Sequence, residues 1–105
     1  METSAFHFKY EDEDIFFESV RFGKSIYIYI GDHNRVFDDL TMAMPNPVVS
    51  THLIGDKASD ELSSFVSELT NSPVILAYGF PIANEKDFER FDFVKLNLRK
   101  IYGKK

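Results

Sequence analysis

Apolar and polar residues alternate along most of the first half of the chain, which is the pattern of β-strands with two distinct faces. A first strand is predicted over residues 5–10. Five more strands are predicted over residues 15–22, 25–30, 37–44, 48–54 and 74–80. A short helix is an alternative for residues 37–44, because Asp38 and Asp39 weaken the strand pattern there.

Two segments in the second half have helical spacing instead. One face of the first helix carries Ala58, Leu62, Phe65, Val66 and Leu69. Successive members of this set are four, three, one and three residues apart. Asp56 is its predicted N-cap, and Asn71 followed by Pro73 ends it. Asn84 is the predicted N-cap of a last helix, and Gly103 is its terminating residue.

This order of elements predicts an α+β fold, with a mainly antiparallel six-stranded sheet and two helices on one face. The chain has 105 residues, which suits a single domain spanning residues 1–105. Two helices of about thirty residues together can cover only one face of such a sheet.

The strand over residues 25–30 is nevertheless apolar on both of its faces. Ile26, Ile28 and Ile30 lie on one side, and Tyr27 and Tyr29 lie on the other. A second protein chain is therefore expected to cover the side that the helices leave open. The alternative is that the sheet curls onto itself and buries both faces internally.

Aromatic residues of the strands are the candidates for contact with this second chain. They are Phe16, Tyr27, Tyr29 and Tyr78. Tyrosine is favoured in protein interfaces because its body is apolar and its tip is polar. The sequence does not decide between pairing with a different chain and a homodimer of the isolated chain.

The composition excludes several other classes of partner. The chain has twelve Lys and Arg and seventeen Asp and Glu, and its net charge of −5 argues against nucleic acid as a partner. The cations gathered in the last seven residues suit a helix C-terminus.

No apolar run approaches the roughly 20 residues of a membrane span, and no signal peptide is visible. The absence of Cys suits a reducing compartment, so the cytoplasm is expected, with the nucleus left open as a second location.

Candidate chemistry is weak, and we predict that the protein is not an enzyme and uses no cofactor or metal. Ser50, His52 and Asp56 could form a hydrolytic set, but nothing near them resembles a nucleophile elbow. The acidic run at residues 11–14 lacks calcium-loop spacing and is interpreted as a solvated turn. The three His have no zinc spacing.

Residues 15–102 resemble the proteasome assembly chaperone 4 family. The resemblance rests on an aromatic strand ending in glycine at 25–31, then residues 40–44 and 49–56 before a helix, the apolar strand 73–78 and the C-terminal helix. It implies an α+β, non-enzymatic chaperone that pairs with a related chaperone, number 3 of the same series. It also implies that the pair holds an α-type subunit while the α-ring of the 20S proteasome assembles.

Two other functions stay open on the sequence alone. One is a small scaffold or trafficking-complex module that binds protein through the same strands and helices. The other is an enzyme with an unrecognised site, which a pocket with convergent polar groups would support.

Overall fold

The computed structural model describes residues 2–34, 36–37, 39–45, 49–54 and 58–103. Its strands are β1 (Glu2–Tyr10), β2 (Glu13–Phe22), β3 (Ser25–Gly31), β4 (Asp39–Met44), β5 (Val49–Ile54) and β6 (Val74–Tyr78). Its helices are α1 (Ala58–Thr70), between β5 and β6, and α2 (Glu85–Tyr102), after β6.

The strands form one six-stranded sheet in the order β1-β2-β3-β6-β4-β5. Neighbouring strands are antiparallel except β3 and β6, which run parallel. Strand β6 enters the middle of the sheet after α1, and this crossover creates the parallel pair. The structure confirms the α+β class and the mainly antiparallel sheet with both helices on one face.

Strand β4 occupies the segment for which a short helix was the alternative, so that alternative is wrong. The Asp39 side chain is tolerated in the strand because it is buried against the start of α1. Its carboxylate accepts a hydrogen bond from the backbone N–H of Ser59 at 3.1 Å and another from the Ser59 hydroxyl. Asp39 therefore caps α1 from a neighbouring strand. The predicted cap, Asp56, lies outside the described residues.

Helix α2 begins and ends where its sequence signals predict. The Asn84 side chain accepts from the Asp87 N–H at 3.0 Å, and the Asp87 carboxylate accepts from the Asn84 N–H, which completes a capping box. At the other end the Gly103 N–H donates to the Arg99 carbonyl at 2.8 Å. Neither α1 nor α2, in the described part of the chain, has the length and apolar character that crossing a membrane demands.

The core lies between the helices and one face of the sheet. The sheet contributes Ile15, Phe17, Ile26, Ile28, Ile30, Val74, Leu76 and Tyr78, and the helices contribute Leu62, Val66, Phe91, Val94 and Leu98. These residues alternate along each strand with side chains of the opposite face. The strand alternation therefore separates a helix-covered side of the sheet from a second side that the helices do not reach.

A charged network fixes the first half of α2 to the start of β2. The buried Arg90 guanidinium donates from Nε and Nη2 to the two carboxylate oxygens of Glu13, at 2.9 and 3.1 Å. It also donates from Nη1 to Asp87 at 3.0 Å and lies 4.8 Å from the centre of the Phe80 ring. Since Arg90 and Asp87 are both buried, their charges depend on each other for compensation.

This network should make the stability of the fold sensitive to acid. Burial alone would raise the pKa of Asp87, but hydrogen bonds from the Ala83 N–H, Arg90 and the Asn84 N–H together lower it below its ordinary value of 3.8. A carboxylate with a lowered pKa in the folded state stabilises the fold above its unfolded pKa, and this stabilisation is lost as the pH falls through the folded pKa. We expect the free energy of unfolding, measured in urea, to fall below about pH 4. The fall should be smaller for Asp87→Asn, and an identical acid profile for the two proteins would contradict this assignment.

Candidate protein-binding surface

The side of the sheet opposite the helices presents a mostly apolar surface, which we call the open face. It is formed by Phe16, Glu18, Val20, Phe22, Tyr27, Tyr29, Leu40, Met42, Met44, Ile75 and Ala77. The strand register brings these residues together in rows, because directly paired residues lie on the same face of a sheet. One row runs through Val20, Tyr27, Ile75 and Met42.

Much of the open face is accessible to solvent. Tyr27 is 45% exposed near its centre, and Phe22 and Met44 towards its ends are 60% and 47% exposed. An open depression of about 370 Å³ is lined by side chains of β2, β3, β4 and β6. The alternative in which the sheet curls and buries both faces is wrong for the described strands, which form one open sheet with exposed apolar side chains.

Tyr29 lines this depression and is held in place there. Its hydroxyl donates to the backbone carbonyl of Asp32 at 3.1 Å. Its ring lies over Gly31, where an added Cβ would be 2.1 Å from the Tyr29 hydroxyl oxygen. The glycine that ends β3 therefore makes room for the aromatic ring, which reduces the loss of side-chain freedom if the ring enters an interface.

Phe16 also lies on the open face, towards the turn between β1 and β2. Its ring stacks on the His7 ring with 4.5 Å between the centroids. His7 contacts the Asp14 carboxylate at 3.0 Å. Phe16 is half-buried, so only part of its side chain is accessible at the surface.

Tyr78 is the one predicted contact residue that the structure contradicts. It pairs with Ile30, and both residues point into the core, where Tyr78 is fully buried between Phe80 and Phe91. Burial raises the pKa of Tyr78 above its usual range. A side chain in this position cannot reach a partner, so Tyr78 belongs to the core and not to the binding surface.

Replacing Tyr78 with phenylalanine tests this correction. Within the described part of the chain the buried Tyr78 hydroxyl has no hydrogen-bond partner, and removing an unsatisfied buried polar group is neutral or stabilising. We expect Tyr78→Phe to leave partner binding unchanged and to keep or raise the free energy of unfolding by about 1 kcal/mol. Loss of partner binding by a stable Tyr78→Phe variant would show that Tyr78 takes part in binding after all.

Several apolar residues of the open face were missed from the sequence. They include Val20, Leu40, Met42, Ile75 and Ala77. Alternation along β2 already places Val20 on the side of Phe16, and this signal was available. Leu40 and Met42 could not be assigned, because their side of the sheet depends on the pairing of β4 with β6.

Two of the three residues considered for catalysis lie in the ladder between two strands, and three of the four considered for cation binding contact basic side chains. Ser50 pairs with Ala43 and His52 with Thr41 in the ladder between β4 and β5, while Asp56 lies outside the described residues. In the acidic run, Glu11 contacts Lys86, Glu13 contacts Arg90 and Asp14 contacts His7. Within the ranges that the structure describes, no group of three or more His, Asp or Glu could hold a metal ion.

An α+β domain with an apolar open face of this kind has the features of a small protein-binding domain. The chain belongs to the proteasome assembly chaperone 4 family, whose model matches residues 14–78. This confirms the resemblance read from the sequence. It places the chain among the proteasome assembly chaperones, a class that is not catalytic in kind.

A solved structure supports the fold over nearly all of the chain. A chain of a chaperone complex for yeast 20S proteasome assembly superimposes with a TM-score of 0.67 at 13% sequence identity. The match covers 97% of this chain and 99% of the yeast chain. No curated protein matches the sequence. At this level of identity the yeast structure shows a shared fold.

Proposed function

We propose that this chain pairs through its open face with a related assembly chaperone, number 3 of the same series. The pair then holds an α-type subunit and promotes assembly of the α-ring of the 20S proteasome. The proposed place of action is the cytoplasm, with the nucleus as a second location. The observation that carries the proposal is the apolar open face on a member of this chaperone family.

The whole side of the sheet that carries the open face is just large enough for a specific pair. Six strands about 4.8 Å apart and about six residues long cover roughly 24 × 20 Å, or about 500 Å² in projection. Two such sides together bury about 1,000 Å², which is the lower limit for a specific interface. The yeast chain of the same fold comes from a chaperone complex, which supports a chaperone as the partner.

The apolar character of the open face favours permanent pairing over brief encounters. Burying one large apolar side chain contributes about 1.5–3 kcal/mol, so a few aromatics at the centre of the interface support micromolar or tighter binding. Tyr27 and Tyr29 occupy that centre, next to the small side chain of Ala77. A partner side chain can enter the depression beside them.

Affinity capture followed by reconstitution tests this function. The tagged chain should recover a related assembly chaperone and proteasome α-type subunits from a cell lysate. The purified chaperone pair should then speed the assembly of α-rings from purified α-type subunits. A scaffold or trafficking module would recover a different set of proteins. Recovery of such a set without any α-type subunit, together with no effect on ring assembly, would contradict the proposal.

A further inference from the structure

A second apolar surface lies on the helix side of the sheet, where the edge strand β1 meets the last turns of α2. A groove of about 580 Å³ there is lined by the apolar side chains of Phe6, Phe8 and Ile101 and also by Arg99 and Lys100. We call it the β1–α2 groove. Phe6 is 40% exposed in it. Because Phe6 pairs with the buried Phe17, the groove lies on the opposite side of the sheet from the open face.

The strand beside this groove has an unprotected edge. In the part of the chain that the structure describes, β1 pairs with β2 alone. The pairing is regular over all nine residues of β1, from Glu2 to Tyr10. The strand contains no proline, glycine or bulge, and its charged side chains, Glu2 and Lys9, lie near its two ends. Long regular edges of this kind accept an additional strand, which is why proteins usually block them.

The charge of the groove indicates what kind of strand would fit. Arg99 and Lys100 are exposed, and the Arg99 guanidinium also lies 5.9 Å from the centre of the Phe65 ring. Among the residues that the structure describes, no acidic side chain lines the groove, although the chain as a whole carries a net charge of −5. The helix dipole accounts for cations in the last turn of α2, but it does not account for the exposed Phe6 beside them. Apolar side chains next to two cations are complementary to an extended segment with alternating apolar and acidic residues.

We infer that the β1–α2 groove and the free edge of β1 form the docking site for an extended, acidic segment of the α-type client subunit. The segment adds as a seventh strand through backbone hydrogen bonds to β1. Its apolar side chains contact Phe6 and Phe8, and its carboxylates pair with Arg99 and Lys100. This inference rests on the proposed function, in which the open face is covered by the partner chaperone and the client must bind elsewhere.

Charge reversal in the assembled chaperone pair tests the docking site. The double variant Arg99→Glu, Lys100→Glu should bind a purified α-type subunit about tenfold or more weakly while pairing normally with the partner chaperone. Phe6→Asp should weaken client binding by about tenfold to a hundredfold. The control Lys24→Glu reverses an exposed charge in the turn between β2 and β3 and should leave client binding unchanged.

Amide hydrogen exchange reports the added strand directly. The outward amides of β1 should exchange rapidly in the chaperone pair and slow when the client subunit binds. Unchanged client binding by the charge-reversal and Phe6 variants, or unchanged exchange in β1, would overturn the inference. Protection of β1 by a second copy of this chain would also overturn it. If the wild-type pair holds no α-type subunit at all, the proposed function itself fails, which is a distinguishable result.

Discussion

Replacing Tyr27 with aspartate is expected to abolish pairing with the related assembly chaperone while the chain stays folded. Tyr27 is 45% exposed at the middle of the open face, so the monomer tolerates a polar side chain there. In the complex the same position becomes a buried carboxylate among apolar side chains, and the aromatic contact is lost. Together these effects should weaken pairing by about a hundredfold or more, measured by titration calorimetry with the purified partner.

Phe88 provides a matched control for Tyr27. It is an aromatic residue that is 54% exposed, but it lies on α2, on the helix side of the molecule. Phe88→Asp should therefore pair with the chaperone as the wild-type chain does. If Phe88→Asp lost pairing and Tyr27→Asp kept it, the partner would bind the helices and the open face would not be the pairing surface.

Replacing Arg90 with alanine is expected to destabilise the fold strongly. The change removes the guanidinium that joins Glu13 to Asp87 and leaves the buried Asp87 carboxylate without its cation. Breaking a buried ion pair by deleting one partner lowers stability by about 3 kcal/mol. The expected result is a loss of this size in the free energy of unfolding, measured in urea at neutral pH.

Lys86 on the same helix is the control for Arg90. Its ammonium group lies 3.8 Å from Glu11, and its side chain is 75% exposed. An exposed pair of this kind contributes less than about 1 kcal/mol, so Lys86→Ala should change stability little. Equal losses for the two variants would show that the Arg90 network has no special role in holding α2 to the sheet.

Local signals in the sequence were sufficient to predict most of the elements. Asn84 and Gly103 mark the ends of α2, because a cap depends on residues within one helical turn. The contact of Asp39 with the start of α1 could not be predicted, since Asp39 is twenty residues from Ser59 in sequence and meets it only through the sheet. Strand β1 begins at Glu2, before the predicted residue 5, because pairing with β2 extends the strand beyond its apolar pattern.

The candidate binding surface was predictable only within single strands. Alternation correctly separates Tyr27 and Tyr29 from the isoleucines of β3. It does not show which side of β6 joins which side of β3, and this missing register is why Tyr78 was wrongly assigned. The β1–α2 groove was out of reach for the same reason, because it forms only where an edge strand lies beside the end of a distant helix.

Hydroxyl-radical footprinting of the chain, alone and bound to the related assembly chaperone, tests the role of the open face most directly. Tyr27 and Met44 are exposed in the free chain and should react with radicals there. Binding of the partner should protect Tyr27 and Met44 and leave Phe88 as reactive as before. A stable complex in which Tyr27 and Met44 remain fully reactive would contradict pairing through this face of the sheet.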